Sequence, residues 1–383
     1  MKPYQAYNQF VTTRKENHLF RDFPVEQANV LDFSHNDYLN LSLHPNLIEA
    51  AIAATKKYGV GHKASRLLSN QQNIAKALEA QIANDKYSEA AIIFNSGFQA
   101  NISVLASLLD AKILGAPPLV FADKLNHASI HSGIKLAGAK QIRYRHLDTE
   151  HLNWQLNKYK DARHPKFILT ESIFGMDGDI ANIAEIIKIA KSHKAFLYVD
   201  EAHATGILGH NGYGLSSDFA GEVDLTLGTF SKGLGCFGAY VACNNSIADF
   251  LMNHCQGLIY TTMPPPAQIA VMQAAWKIVP HLRTQVQDLL QSANNLRQNL
   301  QAMVFDTGDS QSHIIPIRLQ TAERTLQAQQ ALKQSGILVS AIRPPSVSPK
   351  ESRLRIALNL SHQAEDIQVL LQAFKQAAHQ IDF

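Results

Sequence analysis

The sequence predicts an α/β protein: a large domain whose mostly parallel seven-stranded sheet lies between helices, and a smaller α+β domain toward the C-terminus. Three observations carry that expectation. Through the middle of the chain, short β-rich runs alternate with longer helical patterns, as βαβ units do. Several of those runs are almost unbroken in apolar residues, as strands covered on both faces are. From about Pro264 the texture changes: Pro264-Pro265-Pro266 opens a long helical stretch, and Gln- and Ala-rich helices separate the short strands beyond it. A chain of 383 residues fits about two or three units of ordinary domain size.

Taken in order, residues 1–40 form an N-terminal segment in which 30–33 reads as a strand. The large domain, 41–280, holds strand candidates at 90–94, 119–122, 141–145, 167–170, 195–199, 225–229 and 239–243. Between them, stretches such as 183–190 place apolar residues at helical spacing. The helical stretch 264–303 is expected to bend or break near Pro280, whose ring removes a backbone donor. The C-terminal domain, 281–383, offers strand candidates at 314–319, 337–342 and 354–358, with mainly antiparallel pairing.

Hydrophobic residues make up 46% of the chain and charged residues 17%. That is enough apolar surface to offset chain entropy, which argues against disorder. A net charge of +3, from 35 basic and 32 acidic side chains, gives no electrostatic reason to expect a nucleic-acid partner. Residues 1–8 contain no apolar signal core, and no run approaches the ~18 apolar residues of a membrane span, so no membrane association is expected. Cys236, Cys243 and Cys255 are odd in number and lack metal-knuckle spacing. They read as reduced thiols, with no metal site and a cytoplasmic location expected.

In an open α/β sheet, ligands bind beyond the carboxyl ends of the strands. The residues that follow each strand candidate are therefore the first to weigh. After 90–94 comes Asn95-Ser96-Gly97-Phe98-Gln99 and then a helical run. The N–H groups and positive dipole end of such a turn suit an anion, although by itself the turn is ordinary. Past 119–122 lies His127, able to stack on a planar cofactor or polarise a carbonyl. Loop histidines are mostly surface groups, and this chain has 17 histidines.

After 195–199 comes Asp200-Glu201-Ala202-His203. An acid with a histidine three residues on fits a metal site or half of a hydrolase relay, yet neither finds its remaining ligands or a G-x-S-x-G elbow. The run 225–229 ends in Thr229-Phe230-Ser231-Lys232-Gly233, and a lysine there is poorly explained as a solvated charge. Desolvation would make its amine a nucleophile. Lys232 together with Asp200 points to pyridoxal 5'-phosphate. The lysine forms the Schiff base, and the aspartate keeps the pyridine nitrogen protonated so that the ring accepts electrons.

Five segments then resemble one family over almost the whole chain. They are Asn36-Asp37-Tyr38-Leu39, Asn126-His127-Ala128-Ser129, Met176-Asp177-Gly178-Asp179, Asp200 through Gly206, and Thr229-Phe230-Ser231-Lys232. Together they resemble the α-oxoamine synthases, which are fold-type I pyridoxal-phosphate-dependent transferases. The stretches 258–265 and 341–347 favour the biotin-biosynthesis branch, which condenses L-alanine with pimeloyl-CoA or a pimeloyl-acyl-carrier protein. The resemblance implies that Lys232 is the imine lysine and then the base that removes the substrate Cα proton. It implies that Asp200 pairs with the pyridinium nitrogen, that His127 stacks on the ring, and that His203 bonds the ring phenolate oxygen.

It further implies that Gly97 and Phe98, in the turn opened by Ser96, present backbone N–H groups to the cofactor. Thr229 would approach the phosphate, with Thr261 or Thr262 from a second subunit of a homodimer that shares its active sites. Arg355 would hold the amino-acid carboxylate, with Asn36 nearby, because a bidentate clamp requires an arginine fork. Arg21 and Ser346 fall where the family contacts the acyl substrate.

The sequence also departs from the family pattern. Gly175 stands where a serine hydroxyl near the cofactor is usual, Asn40 where glycine is typical, and Asn70 and Ala75 where glycine and histidine are common. Three rivals stand beside the main reading. One is the same chemistry on other substrates, such as glycine with acetyl-CoA or a longer acyl chain. Another is a non-catalytic protein that binds the cofactor. A nicotinamide dehydrogenase is the weakest, because no G-x-G-x-x-G opens a βαβ unit.

Overall fold

The computed structural model describes residues 2–25, 27–70 and 73–378. The chain forms two compact units. One comprises Asp37–Phe174 and Ile180–Val286; the other comprises the residues up to Asn36, Gly175–Asp179, and those from Gln287 onward. The N-terminal segment up to Asn36 therefore falls in one unit with the C-terminal residues, and Asp37 onward in the other.

The strands, in chain order, are β1 (Leu31–Asp32), β2 (Ala90–Phe94), β3 (Leu119–Asp123), β4 (Lys140–Tyr144), β5 (Lys166–Glu171) and β6 (Phe196–Asp200). They continue with β7 (Leu225–Thr229), β8 (Ala239–Cys243), β9 (Ile314–Gln320), β10 (Ile337–Leu338), β11 (Ser340–Ile342) and β12 (Ser352–Ala357).

The larger unit is built on a seven-stranded sheet in the order β2-β8-β7-β6-β5-β3-β4. β3, β4, β5, β6 and β7 pair in parallel, while β8 runs against both of its neighbours. Parallel neighbours need crossovers; helices Ala128–Leu136, Thr149–Asn157 and Ile183–His193 supply those up to β6, and a stretch with two 3-10 turns, His210–Gly212 and Leu215–Asp218, leads from β6 to β7. β7 and β8 are joined by a short loop instead, which permits antiparallel pairing.

Every residue of β3, β7 and β8 is buried. The side chains of β3, β5 and β6 divide by strand alternation between two cores. Val120, Ala122, Phe167, Leu169 and Tyr198 pack into one, and Leu119, Phe121, Ile168, Leu197 and Val199 into the other. Helix Ile183–His193 lies on the second core through Ile183, Ile186, Ile187 and Ala190. Asn182 caps it by accepting from the Glu185 amide at 3.2 Å, which satisfies one of the unpaired donors of the first turn.

The helical stretch after Pro264 is interrupted near Pro280, as the sequence predicts. A helix over Pro266–Ile278 gives way to a 3-10 turn over Val279–Leu282, and Arg283–Ala302 continues as a second helix. In the smaller unit β11, β12 and β9 form an antiparallel sheet, and β1 pairs in parallel with β10. The single strand expected over 337–342 is therefore two, β10 and β11, which serve different sheets. The strand expected over 354–358 begins two residues earlier, at Ser352.

Cys236, Cys243 and Cys255 are free thiols, the last two buried. Among the described residues no helix is long and apolar enough to cross a membrane.

Candidate functional site

The segments after β2, β3, β6 and β7, with the last residue of β5, meet at one cleft of about 230 Å³ in the larger unit. Register explains part of this: β5 and β6 pair with Glu171 opposite Asp200, so two carboxylates end adjacent strands. β7 ends on Thr229, and Lys232 follows three residues later on the cleft wall. β2 leads into Ser96, whose hydroxyl accepts from the Gln99 amide at 3.2 Å and opens helix Gly97–Leu108. Gly97 allows β7 to come close. A Cβ there would lie 2.6 Å from the Thr229 Cγ2, nearer than side chains pack.

Asp200 is 4% exposed and firmly held. The Asn101 amide Nδ2 donates to its Oδ2 at 2.7 Å, and the Ala202 backbone N–H donates to its Oδ1 at 2.8 Å. Asn101 is itself fixed, because the Tyr198 hydroxyl donates to its Oδ1 at 2.7 Å and its Nδ2 also donates to the Ser129 Oγ at 3.0 Å. His127 caps helix Ala128–Leu136. Its Nδ1 lies 2.7 Å from the Ser129 Oγ and accepts from the Ser129 N–H at 3.3 Å. Burial lowers the His127 pKa below the usual histidine value; Asp200 pulls it up and Lys232 down.

Glu171 is buried at the cleft wall and accepts from the His127 backbone N–H. Burial, reinforced by the Asp200 charge, pushes its carboxyl well above the usual carboxylate range. His203 is buried, with its Nδ1 2.7 Å from the Tyr38 hydroxyl.

The site residues expected from sequence fall into three groups. Ser96, Gly97, Phe98, His127, Asp200, His203, Thr229 and Lys232 line the one cleft. Thr261 and Thr262 do not line it; the Asn95 Nδ2 donates to the Thr261 hydroxyl at 3.2 Å and to the Thr262 carbonyl at 3.0 Å. Arg355, Asn36, Arg21 and Ser346 belong to the smaller unit and form two pairs there. Arg355 is 3% exposed on β12; its Nε donates to the Gly175 carbonyl at 2.5 Å and its Nη2 to the Asn36 Oδ1 at 3.0 Å. Arg21 donates from Nη2 to the Ser346 hydroxyl at 3.0 Å and to the Arg343 carbonyl at 3.3 Å.

Two departures from the family pattern gain a local account. Asn40 adopts φ +52°, the left-handed conformation that glycine takes easily and asparagine tolerates. Ala75 is fully buried in helix Asn73–Asp85.

Sequence reasoning missed Glu171, Asn101, Ser129 and Tyr198 as parts of the site. Glu171 was within reach, since it directly follows the strand candidate 167–170 and the strand-end rule applies to it. Asn101 and Tyr198 carried no signal, one inside a helix and the other in mid-strand.

The donor set fits pyridoxal phosphate on its chemistry. A buried anion held by two N–H donors suits a protonated ring nitrogen, a lysine reaches the same cleft, and the Gly97 turn brings backbone N–H groups to its wall. The model of the aminotransferase class I and II family matches residues 28–374. The 8-amino-7-oxononanoate synthase of Gluconacetobacter diazotrophicus is 45% identical over 366 residues, 94% of this chain and 92% of that protein. Among solved structures, serine palmitoyltransferase from S. paucimobilis with a bound PLP–myriocin aldimine is 25% identical. It superposes with a TM-score of 0.90 and 99% of each chain covered. An 8-amino-7-oxononanoate synthase from Francisella tularensis is 29% identical, with a TM-score of 0.77 over 92% of this chain and 98% of that one.

Proposed function

The chain belongs to the class I and II aminotransferase family and, within it, to the α-oxoamine synthases, and we propose that it condenses L-alanine with a pimeloyl thioester. The products would be 8-amino-7-oxononanoate, carbon dioxide and the free thiol, a step of biotin biosynthesis. It is a fold-type I pyridoxal-phosphate-dependent transferase. The observation that carries the chemistry is the convergence of Lys232, Asp200, His127 and His203 on one cleft. The choice of substrates rests on identity to relatives that bear the synthase name.

Bound in the cleft, pyridoxal phosphate supplies an electron sink for charge developing at the amino-acid Cα. The chain's own groups do the rest. Lys232 holds the cofactor and, as the free amine, takes the Cα proton through its Nζ. Asp200, its two oxygens held by the Asn101 amide and the Ala202 N–H, would face the ring nitrogen and favour its protonated form. His127 would stack on the ring, and His203 would hold the ring oxygen. The Gly97–Phe98 turn and Thr229 would take the phosphate, together with Thr261 or Thr262 of a second copy. Arg355 takes the amino-acid carboxylate, and Arg21 with Ser346 meets the acyl group.

A homodimer with shared active sites accords with helix Pro3–Glu16, which buries none of its residues and exposes Tyr4, Tyr7 and Phe10. A second reading keeps the chemistry and changes the substrates. It is favoured by the 0.90 TM-score to serine palmitoyltransferase, higher than the 0.77 to the synthase.

The deciding experiment gives purified, cofactor-loaded protein pimeloyl-CoA with L-alanine, and in parallel glycine with acetyl-CoA and serine with palmitoyl-CoA. Thiol release is followed, and products are weighed by mass spectrometry. Alanine-dependent release of the amino-oxo acid is the expected result. Turnover confined to the glycine or serine pair overturns the choice of substrates. A cofactor spectrum with no release from any pair, including a pimeloyl-carrier protein, supports the non-catalytic reading instead.

A further inference from the structure

The hydrogen bonds around Asp200 form a chain with a direction, and the direction ends on His127. The Asp200 carboxylate accepts at both oxygens, from the Ala202 N–H at 2.8 Å and, on Oδ2 at 2.7 Å, from the NH2 end of Asn101. With that orientation fixed, the Asn101 Oδ1 faces the Tyr198 hydroxyl at 2.7 Å and accepts from it. The second N–H of the same amide is spent on the Ser129 Oγ at 3.0 Å. The Ser129 hydroxyl, now an acceptor from Asn101, has its own proton to give, and the group within reach is the His127 Nδ1 at 2.7 Å.

A separate contact agrees. The Ser129 backbone N–H, which can only donate, points at the same Nδ1 at 3.3 Å. Two donors on one ring nitrogen leave no room for a proton there, so a neutral His127 must carry its proton on Nε2.

Resting on the reaction proposed above, we infer that Asn101 and Ser129 are positioning residues that hold His127 as the Nε2–H imidazole, so that it meets the reactants as a hydrogen-bond donor. The donor suits an oxygen that gains negative charge, such as that of a thioester under attack. The charged and titratable groups around the ring are Asp200, Glu171, Lys232 and His131. Burial outweighs Asp200 in keeping the imidazole neutral. Asn101, Ser129 and Tyr198 are each 2% exposed or less, so the chain of bonds is shielded from competing water.

The test reads the tautomer directly. Cofactor-loaded protein carrying 15N-histidine is examined by ring-nitrogen NMR at neutral pH, with the His127 signals assigned by their loss in H127N. The expected result is an unprotonated Nδ1 and a protonated Nε2. A proton on Nδ1 in the unaltered protein overturns the inference, whatever the variants do.

In S129A the tautomers should mix. The kcat for condensation should fall about tenfold, the worth of one hydrogen bond. The KM for L-alanine and the visible absorption of the bound cofactor should stay within about twofold. An unchanged tautomer in folded S129A removes Ser129 from the role. Because the NMR signal needs no turnover, a protein with the expected tautomer and no condensation would fail the proposed reaction while sustaining this inference.

Discussion

Substituting Lys86 by methionine tests how the end of β6 is held. Glu201 follows Asp200 directly, and its side chain is fully buried, as is that of Lys86 to within 1%. The two form an ion pair; the Lys86 Nζ also donates to the Tyr213 carbonyl at 2.7 Å. Glu201 accepts further from the Ser216 N–H at 2.7 Å and the Ser216 hydroxyl at 2.9 Å. Methionine keeps most of the lysine stem and removes the ammonium.

Removing one partner of a buried pair costs about 3–5 kcal/mol, because the other charge is left uncompensated. The Ser216 donors remain, each worth about 1 kcal/mol, which places the expected loss near the lower end, about 3 kcal/mol. Adding Glu201→Gln removes the stranded charge and keeps an acceptor for Ser216. The double variant should therefore recover more than half of the loss.

Urea unfolding followed by circular dichroism measures this, with the slope m checked for constancy. A loss below about 1 kcal/mol for Lys86→Met, or a double variant whose loss equals the sum of the two singles, would refute the coupled-pair account. The pH dependence gives an internal check. Burial lowers the Lys86 pKa from 10.5, and Glu201 only partly restores it. In the window between the lowered folded value and 10.5, the unfolded chain binds the extra proton, so stability rises with pH there. Lys86→Met should remove that rise.

Three further outcomes follow from the same structure. Lys232→Ala should abolish both condensation and the visible absorption of the bound cofactor; normal turnover by the variant would remove Lys232 from its role. Gly97→Ala sets a Cβ 2.6 Å from the Thr229 Cγ2 and should weaken cofactor binding at least tenfold with little change in thermal stability, as read by equilibrium titration. Unchanged affinity would mean that the close approach plays no part. His313 and His362 are held down to about 3 and about 4 by burial, from an ordinary 6.5. Below 6.5 the unfolded chain takes up protons that the folded chain refuses. At pH 5 each histidine should therefore cost roughly 2 kcal/mol relative to pH 7. Urea titrations of His362→Gln at the two pH values should show a smaller difference than the unaltered protein; an equal difference would exclude His362 as a source.

What was legible in the sequence follows from how each feature is encoded. The candidates at 225–229 and 239–243 match β7 and β8 to the residue; for β8 the reason is plain, because a strand buried on both faces writes itself as an apolar run, here ended by Asn244. Residues 337–342 were equally apolar and read as one strand, yet β10 pairs with β1 and β11 with β12. No local pattern tells a chain that its two halves serve different sheets. The cleft shows the same division. Lys232, Asp200 and His127 follow strand ends, and their side-chain chemistry is uncommon enough there to be noticed. Asn101, Ser129 and Tyr198 come from two helices and a strand, and each is an ordinary polar residue in its own segment. Their meaning lies in the direction of the hydrogen bonds among them. That direction is set by Asp200, which accepts at both oxygens, and by the Ser129 N–H, which only donates. Residue types at strand ends can announce a cofactor; the protonation state of the histidine beside it is decided by groups that meet only when the chain is folded.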